Sequence, residues 1–91
     1  MFFNDFEWDD GNITHMELKH GVRPYEAEEV FANKPIFRKI REGKHAIFGP
    51  TLDGRYLVLV FQKKAKGFLR VITGWDMSDK EKRYYKAHRK E

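Results

Sequence analysis

RYLVLVFQ, the stretch from Arg55 to Gln62, decides the fold. Every residue from Tyr56 to Phe61 is apolar, so both alternating sets of side chains need cover. A strand buried on both faces has that pattern, whereas a half-buried strand alternates with polar residues. Just upstream stands Asp53-Gly54, a strong two-residue hairpin signal. Glu42-Gly43 is a second turn dipeptide, and Lys64 to Gly67 makes a longer basic turn. These breaks divide the middle of the chain into four strands, roughly 36–41, 44–52, 55–63 and 68–75. Short connections make them an antiparallel meander.

Outside the meander the period changes from two to 3.6. Asp10 to His20 reads as a helix closed by Gly21, the usual residue for a left-handed C-terminal cap. Pro24 opens a second helix, on which Ala27, Val30 and Phe31 form one apolar stripe before Asn33 and Pro35 end it. Ser78 and Glu81 have capping-box spacing and start a third helix through YYKAHRK. Phe2 to Trp8 is compatible with a short edge strand. The expected class is α+β: two N-terminal helices, a four-stranded antiparallel meander with that extra edge strand, and a C-terminal helix, all in one domain spanning 1–91.

Two-residue turns at 42–43 and 53–54 and a four-residue turn at 64–67 fix an expected register. One face then carries Ile36, Arg38, Ile40, His45, Ile47, Val58, Val60, Leu69, Val71 and Trp75, a β-branched set suited to a core. The other gathers Lys39, Arg41, Lys44, Lys63 and Arg70 around Phe61 and Phe68. Cations around exposed rings suit single-stranded RNA, with charge for phosphates and rings for splayed bases. Edge strands also carry Lys and Arg to block sheet-to-sheet aggregation, so the pattern alone leaves two readings open. A one-residue slip in any hairpin exchanges the faces of the strands beyond it.

Composition narrows the function classes. The 91 residues include no cysteine, which excludes disulfides and thiolate zinc sites. No apolar run has membrane-spanning length, and the acidic start MFFNDFEWDD lacks the basic region of a signal peptide, so a cytoplasmic protein is expected. Charge is segregated: residues 1–33 hold two basic and eight acidic side chains, residues 34–91 sixteen basic and six acidic. A polyanion partner for the basic part fits that division.

Several segments together resemble the BrnT toxin family of the wider RelE-like group. They are FEWD (Phe6–Asp9), KHGV (Lys19–Val22), EAEEVF (Glu26–Phe31), GRYLVLVF (Gly54–Phe61), LRVIT (Leu69–Thr73) and EKRY (Glu81–Tyr84). The resemblance implies a RelE-like fold and metal-independent cleavage of mRNA that arrests translation, with no cofactor. It also implies a cognate antitoxin as partner, in a toxin–antitoxin hetero-oligomer. In such ribonucleases the ribose 2′-OH attacks the adjacent phosphate, and the positions matching the family's arginines are Arg55 and Arg70, expected to steady the phosphorane. Lys39, Arg41, Lys44 and Lys63, with Phe61 and Phe68, are the expected RNA-binding residues. His45 is the candidate general base, although the register puts it on the core face. The chain departs from the family where Ile72-Thr73-Gly74-Trp75 replaces the usual I-S-A-R, losing a basic residue, and where the segment before the second strand is compressed to REGKH. A non-catalytic nucleic-acid-binding or protein-interaction module on the same fold is the alternative. His15, His20 and His88 show no ligand spacing with carboxylates, so no metal site is expected.

Overall fold

A computed structural model describes residues 6–41 and 43–89. Helix α1 (Asp10–His20) and helix α2 (Pro24–Ala32) precede strands β1 (Ile36–Arg41), β2 (Lys44–Pro50), β3 (Tyr56–Lys63) and β4 (Leu69–Asp76), and helix α3 (Asp79–His88) follows. The strands form one antiparallel sheet in the order β1-β2-β3-β4. The expected α+β meander is therefore the observed one. Of the anticipated edge strand, Phe6 makes a parallel bridge to Leu69, and residues 2–5 lie outside the described residues.

Local chemistry sets the helix limits. The Asp9 carboxylate accepts from the Asn12 backbone N–H at 3.2 Å, and the Asn12 side-chain oxygen accepts from the Asp9 backbone N–H at 2.9 Å. Gly21 ends α1 at φ +64°, and its N–H donates back to the Glu17 carbonyl. Ser78 and Glu81 form the predicted capping box on α3. Buried Asn12 donates one amide to the carbonyls of Glu7 and Val71, both at 3.0 Å, which ties α1 to the N-terminal segment and to β4. The sequence pattern did not mark Asn12, because its partners come from distant stretches.

The sheet carries a core on each face, as RYLVLVFQ demanded. Toward α1 and α2, Leu57, Leu59 and Phe61 pack with Met16, Val22, Val30, Phe31, Ile47 and Val71. Toward α3, Val58 packs with Ala46, Phe48, Met77 and Tyr85. Each fully buried large side chain contributes roughly 1.5–3 kcal/mol of transfer free energy.

The expected register fails by one residue, and the turns explain it. Thr51 and Arg55 close the β2–β3 loop, with the Thr51 N–H donating to the Arg55 carbonyl at 2.8 Å and the Arg55 N–H donating to Thr51 Oγ1 at 3.0 Å. Three residues, Leu52 to Gly54, therefore span the hairpin, and Gly54 takes the left-handed position at φ +87°. The β3–β4 loop behaves alike: Lys64 N–H donates to the Phe68 carbonyl at 2.7 Å around a 3₁₀ turn at Ala65–Gly67. The two-residue turn at 42–43 does pair Arg41 with Lys44, but a bulge before Arg41 then pairs Lys39 with His45. A second bulge in β4 lies between the partners of Val60 and Phe61.

The consequence is an exchange of faces. Leu57, Leu59 and Phe61, assigned to the RNA face, fill the helix-side core, and Phe61 is fully buried. Val58, expected on the same face as His45 and Ile47, lies on the opposite face, toward α3. In the ITGW segment, a Cβ on Gly74 would stand 2.5 Å from Leu59 Cδ2 and 3.2 Å from the Val58 carbonyl oxygen, so a larger residue there would force Leu59 to shift. Trp75 packs beside the α3-side core and donates its indole N–H to Glu81 at 3.2 Å.

Candidate functional site

The turn at 42–43 and the turn at 64–68 lie at the same end of the sheet, because β2 begins opposite the ends of β1 and β3. That end collects Lys39, Arg41, Lys44, Lys63, Lys64 and Lys66. No carboxylate among the described residues forms an ion pair with any of these six cations. Phe68 stands there 40% exposed.

His45 sits at the centre of this end. Its pairing with Lys39 on β1 and Phe61 on β3 fixes the ring between two strands. The imidazole stacks on Phe61 with centroids 5.4 Å apart and planes 19° from parallel. Its Nδ1 is buried without a hydrogen-bond partner, which leaves Nε2 as the nitrogen able to exchange a proton with a bound molecule. Burial first, then the charges of Lys63 and Lys39, push the pKa of His45 below its ordinary value of 6.5. The imidazolium is thus disfavoured among cations. A neutral imidazole is a proton acceptor, and ammonium groups beside it suit an anionic substrate.

The cations expected on one face divide between two, because the register differs. Lys39 and Lys63 share the face of His45, whereas Lys44 pairs with Gln62 and Arg41 on the opposite side. They remain neighbours because they share one end of the sheet. Phe61 is corrected from a base-stacking ring to the buried support of the His45 ring.

Arg55 stands at the opposite end of the sheet, whereas Arg70 opens β4 at the basic end, in line with Gln62 and Lys44, and both guanidiniums are engaged by carboxylates. Arg55 lies at the far end of β3. Its Nε donates to Asp76 at 2.7 Å and its Nη1 to Glu26 at 3.0 Å and to the Gly21 carbonyl at 2.9 Å. Nη2 reaches the His20 carbonyl at 3.3 Å and the second Asp76 oxygen at 3.0 Å. Arg55 therefore fastens the α1–α2 corner to the end of β4, and the two carboxylates keep it more firmly protonated than an ordinary arginine. Arg70 donates to Glu7 at 2.9 Å and to Asp9 at 2.7 Å, which clamps the N-terminal segment along β4. In return Asp9 is lowered to about 2, chiefly by Arg70. The structure thus gives both expected catalytic arginines carboxylate partners within the chain. Their partners lie between 21 and 63 residues away in sequence, beyond the reach of local pattern.

Among the described residues, no three His, Cys, Asp or Glu side chains are grouped so as to hold a metal ion. No helix is long and apolar enough to cross a membrane.

No protein-family model matches the chain, and no curated protein matches it in sequence. Comparison of structures gives a clear match in fold. The 1.1 Å crystal structure of the Brucella abortus ribonuclease toxin BrnT aligns with a TM-score of 0.69, covering 84% of this chain and 100% of BrnT. This chain has the BrnT fold. Sequence identity over the alignment is 15%, so the likeness speaks for architecture and leaves the chemistry to the residues. What the BrnT-like scaffold offers here is one open basic end with a histidine of lowered pKa inside it.

Proposed function

We propose that this protein is a metal-independent endoribonuclease toxin that cleaves mRNA in the cytoplasm, arrests translation and is neutralised by a cognate antitoxin. The observation that carries the proposal is His45, its imidazolium disfavoured between Lys39 and Lys63 at the cationic end of a fold that the chain shares with a ribonuclease toxin. In this reading His45 Nε2 takes the proton from a ribose 2′-OH. The 2′-oxygen bonds to the adjacent phosphorus, and the bond from phosphorus to the 5′-oxygen breaks. The leaving oxygen takes a proton from water, the imidazolium returns its proton to solvent, and a 2′,3′-cyclic phosphate remains. Lys39 and Lys63 offset the charge that develops on the phosphorane oxygens. Arg41, Lys44, Lys64 and Lys66 hold the flanking phosphates, and exposed Phe68 offers a ring to a splayed base.

The decisive experiment incubates the purified chain with single-stranded RNA, with and without chelator. Cleavage that survives chelation and is lost in His45→Ala supports the reading. Binding without cleavage would replace it with a non-catalytic nucleic-acid-binding module. Cleavage that persists in His45→Ala would move the chemistry to another residue.

A further inference from the structure

The other face of β1 carries a second feature that the cleavage site does not use. A shallow cleft of about 360 Å³, lined by Lys34, Pro35, Ile36 and His88, opens where α3 ends beside the start of β1. Its floor is tied to α3. Tyr85 donates its hydroxyl to the Lys34 carbonyl at 3.2 Å. Lys34 holds φ +51°, in the left-handed region that a lysine seldom adopts, directly before a proline that disfavours helical backbone. Backbone in such a conformation persists only where its surroundings enforce it, and residues of this kind cluster at binding sites.

The rim is a ladder of rings and charge. His88 lies against Tyr84 with centroids 4.3 Å apart and planes tilted by 31°, and Tyr84 in turn contacts Phe48 at 5.0 Å, tilted by 52°. The guanidinium of Arg38 lies 5.5 Å from the Tyr84 centroid. His88 Nδ1 is 2.8 Å from the Tyr84 carbonyl, which can only accept, so that nitrogen carries the proton and Nε2 is left for a ligand. An apolar floor of Pro35 and Ile36, a flat ring and the Lys34 ammonium together match the base and phosphate of one nucleotide.

The two sites are connected by the open edge of the sheet. Ile36 pairs with Phe48 on the α3 side, and Lys39 pairs with His45 on the opposite side. Three residues of an edge strand separate them, roughly 10 Å. Every residue of β1 after Ile36 is exposed, and Arg38, Lys39 and Arg41 put cations along the edge.

From this placement, and resting on the reading that the protein acts on RNA, we infer that the Lys34–His88 cleft binds a flanking nucleotide of an RNA strand that wraps around β1 from the His45 site. The test uses 2′-O-methyl oligonucleotides, which lack the attacking hydroxyl, in fluorescence anisotropy. Lys34→Asn removes the ammonium with a residue that tolerates left-handed backbone, and it is combined with His88→Ala. Circular dichroism and thermal unfolding matched to the parent show that the variant is folded. The double variant should bind a dodecanucleotide about tenfold more weakly and a trinucleotide within twofold of the parent, since loss of one stacked base and one phosphate contact has about that effect. Unchanged dodecanucleotide binding, or equal weakening for both lengths, overturns the inference while the cleavage reading stands. A parent protein that binds neither oligonucleotide overturns both. Length-dependent loss of binding in a protein that never cleaves RNA leaves the cleft in place and removes the nuclease reading.

Discussion

The imidazole of His45 lies flat on the ring of Phe61, 5.4 Å between centroids, and Phe61 is itself fully buried. A ring seated on the core cannot swing away from the two lysines beside it. Burial and the charges of Lys63 and Lys39 both disfavour the imidazolium. The base form therefore persists to lower pH than for a free histidine, and the acid limb of kcat/KM for RNA cleavage should fall at a pH below 6.5. Replacing Lys39 and Lys63 with glutamine should move that limb back toward 6.5 while lowering the rate. His45→Ala should lower the rate by about 10²–10⁴. A limb that stays where it was in the lysine variants contradicts the assignment of His45 as the base.

Arg55 fastens three elements at once, through Glu26, Asp76 and the two carbonyls at the end of α1. Its side chain is 28% exposed and that of Glu26 is 14% exposed, so the Glu26 pair is partly shielded from water. Removing the guanidinium leaves the Glu26 carboxylate with little solvent to replace it. Arg55→Ala should cost about 2 kcal/mol of stability, or roughly 8–16 °C in Tm for a domain of this size. Arg55→Lys should recover only part, because a single ammonium cannot take both oxygens of Asp76 while reaching Glu26. Urea unfolding of the three proteins measures the difference. If the cleavage rate of folded Arg55→Ala also dropped by orders of magnitude, Arg55 would regain a role in chemistry.

The limits of the three helices and the strand order were legible because caps and turns are local chemistry: Gly21, Pro24 and Ser78 each act within a few residues. Register was not. Asp53-Gly54 serves a two-residue turn and a three-residue turn equally well, and the choice fell to Thr51, whose hydroxyl takes the Arg55 N–H. That single residue sent Leu59 and Phe61 to the opposite face from the one expected. The basic end of the sheet survived the slip, since Lys39, Lys44 and Lys63 adjoin turns whichever way they face. His45 was readable as a candidate base, but its neighbours Lys39 and Lys63 were not. The carboxylate partners of the two arginines were not legible, because ion pairs spanning the chain leave no trace in local pattern.

Arg70 and Asp9 offer a direct titration. The Asp9 carboxyl is held at about 2, against an ordinary 3.8, with the Arg70 hydrogen bond as the largest cause. A lowered carboxyl favours the folded state fully above 3.8, and the contribution fades as pH falls through that value toward 2. The clamp on the N-terminal segment should thus hold at pH 4 and open only in stronger acid. Carbon-detected NMR of the carboxyl should show Asp9 titrating near 2 in the parent and shifted up toward 3.8 in Arg70→Ala, short of it because the Asn12 backbone N–H still favours the carboxylate. An unchanged Asp9 in the variant would assign the shift to the helix cap instead.

Gly74 tests the packing beneath the altered ITGW segment. A methyl group there would meet Leu59 Cδ2 at 2.5 Å and the Val58 carbonyl oxygen at 3.2 Å. Leu59 is fully buried between β3 and the two N-terminal helices, so its side chain has no free direction in which to retreat. Gly74→Ala should therefore destabilise the protein by about 1–3 kcal/mol, in the range of overpacked cores. Adding Leu59→Val shortens the opposing side chain, and the pair should unfold at a higher urea concentration than Gly74→Ala alone. The two residues touch, so the sum of their separate effects should exceed that of the double variant. Strict additivity in urea unfolding would show that the bulged end of β4 shifts to make room, and that Leu59 does not set the glycine requirement.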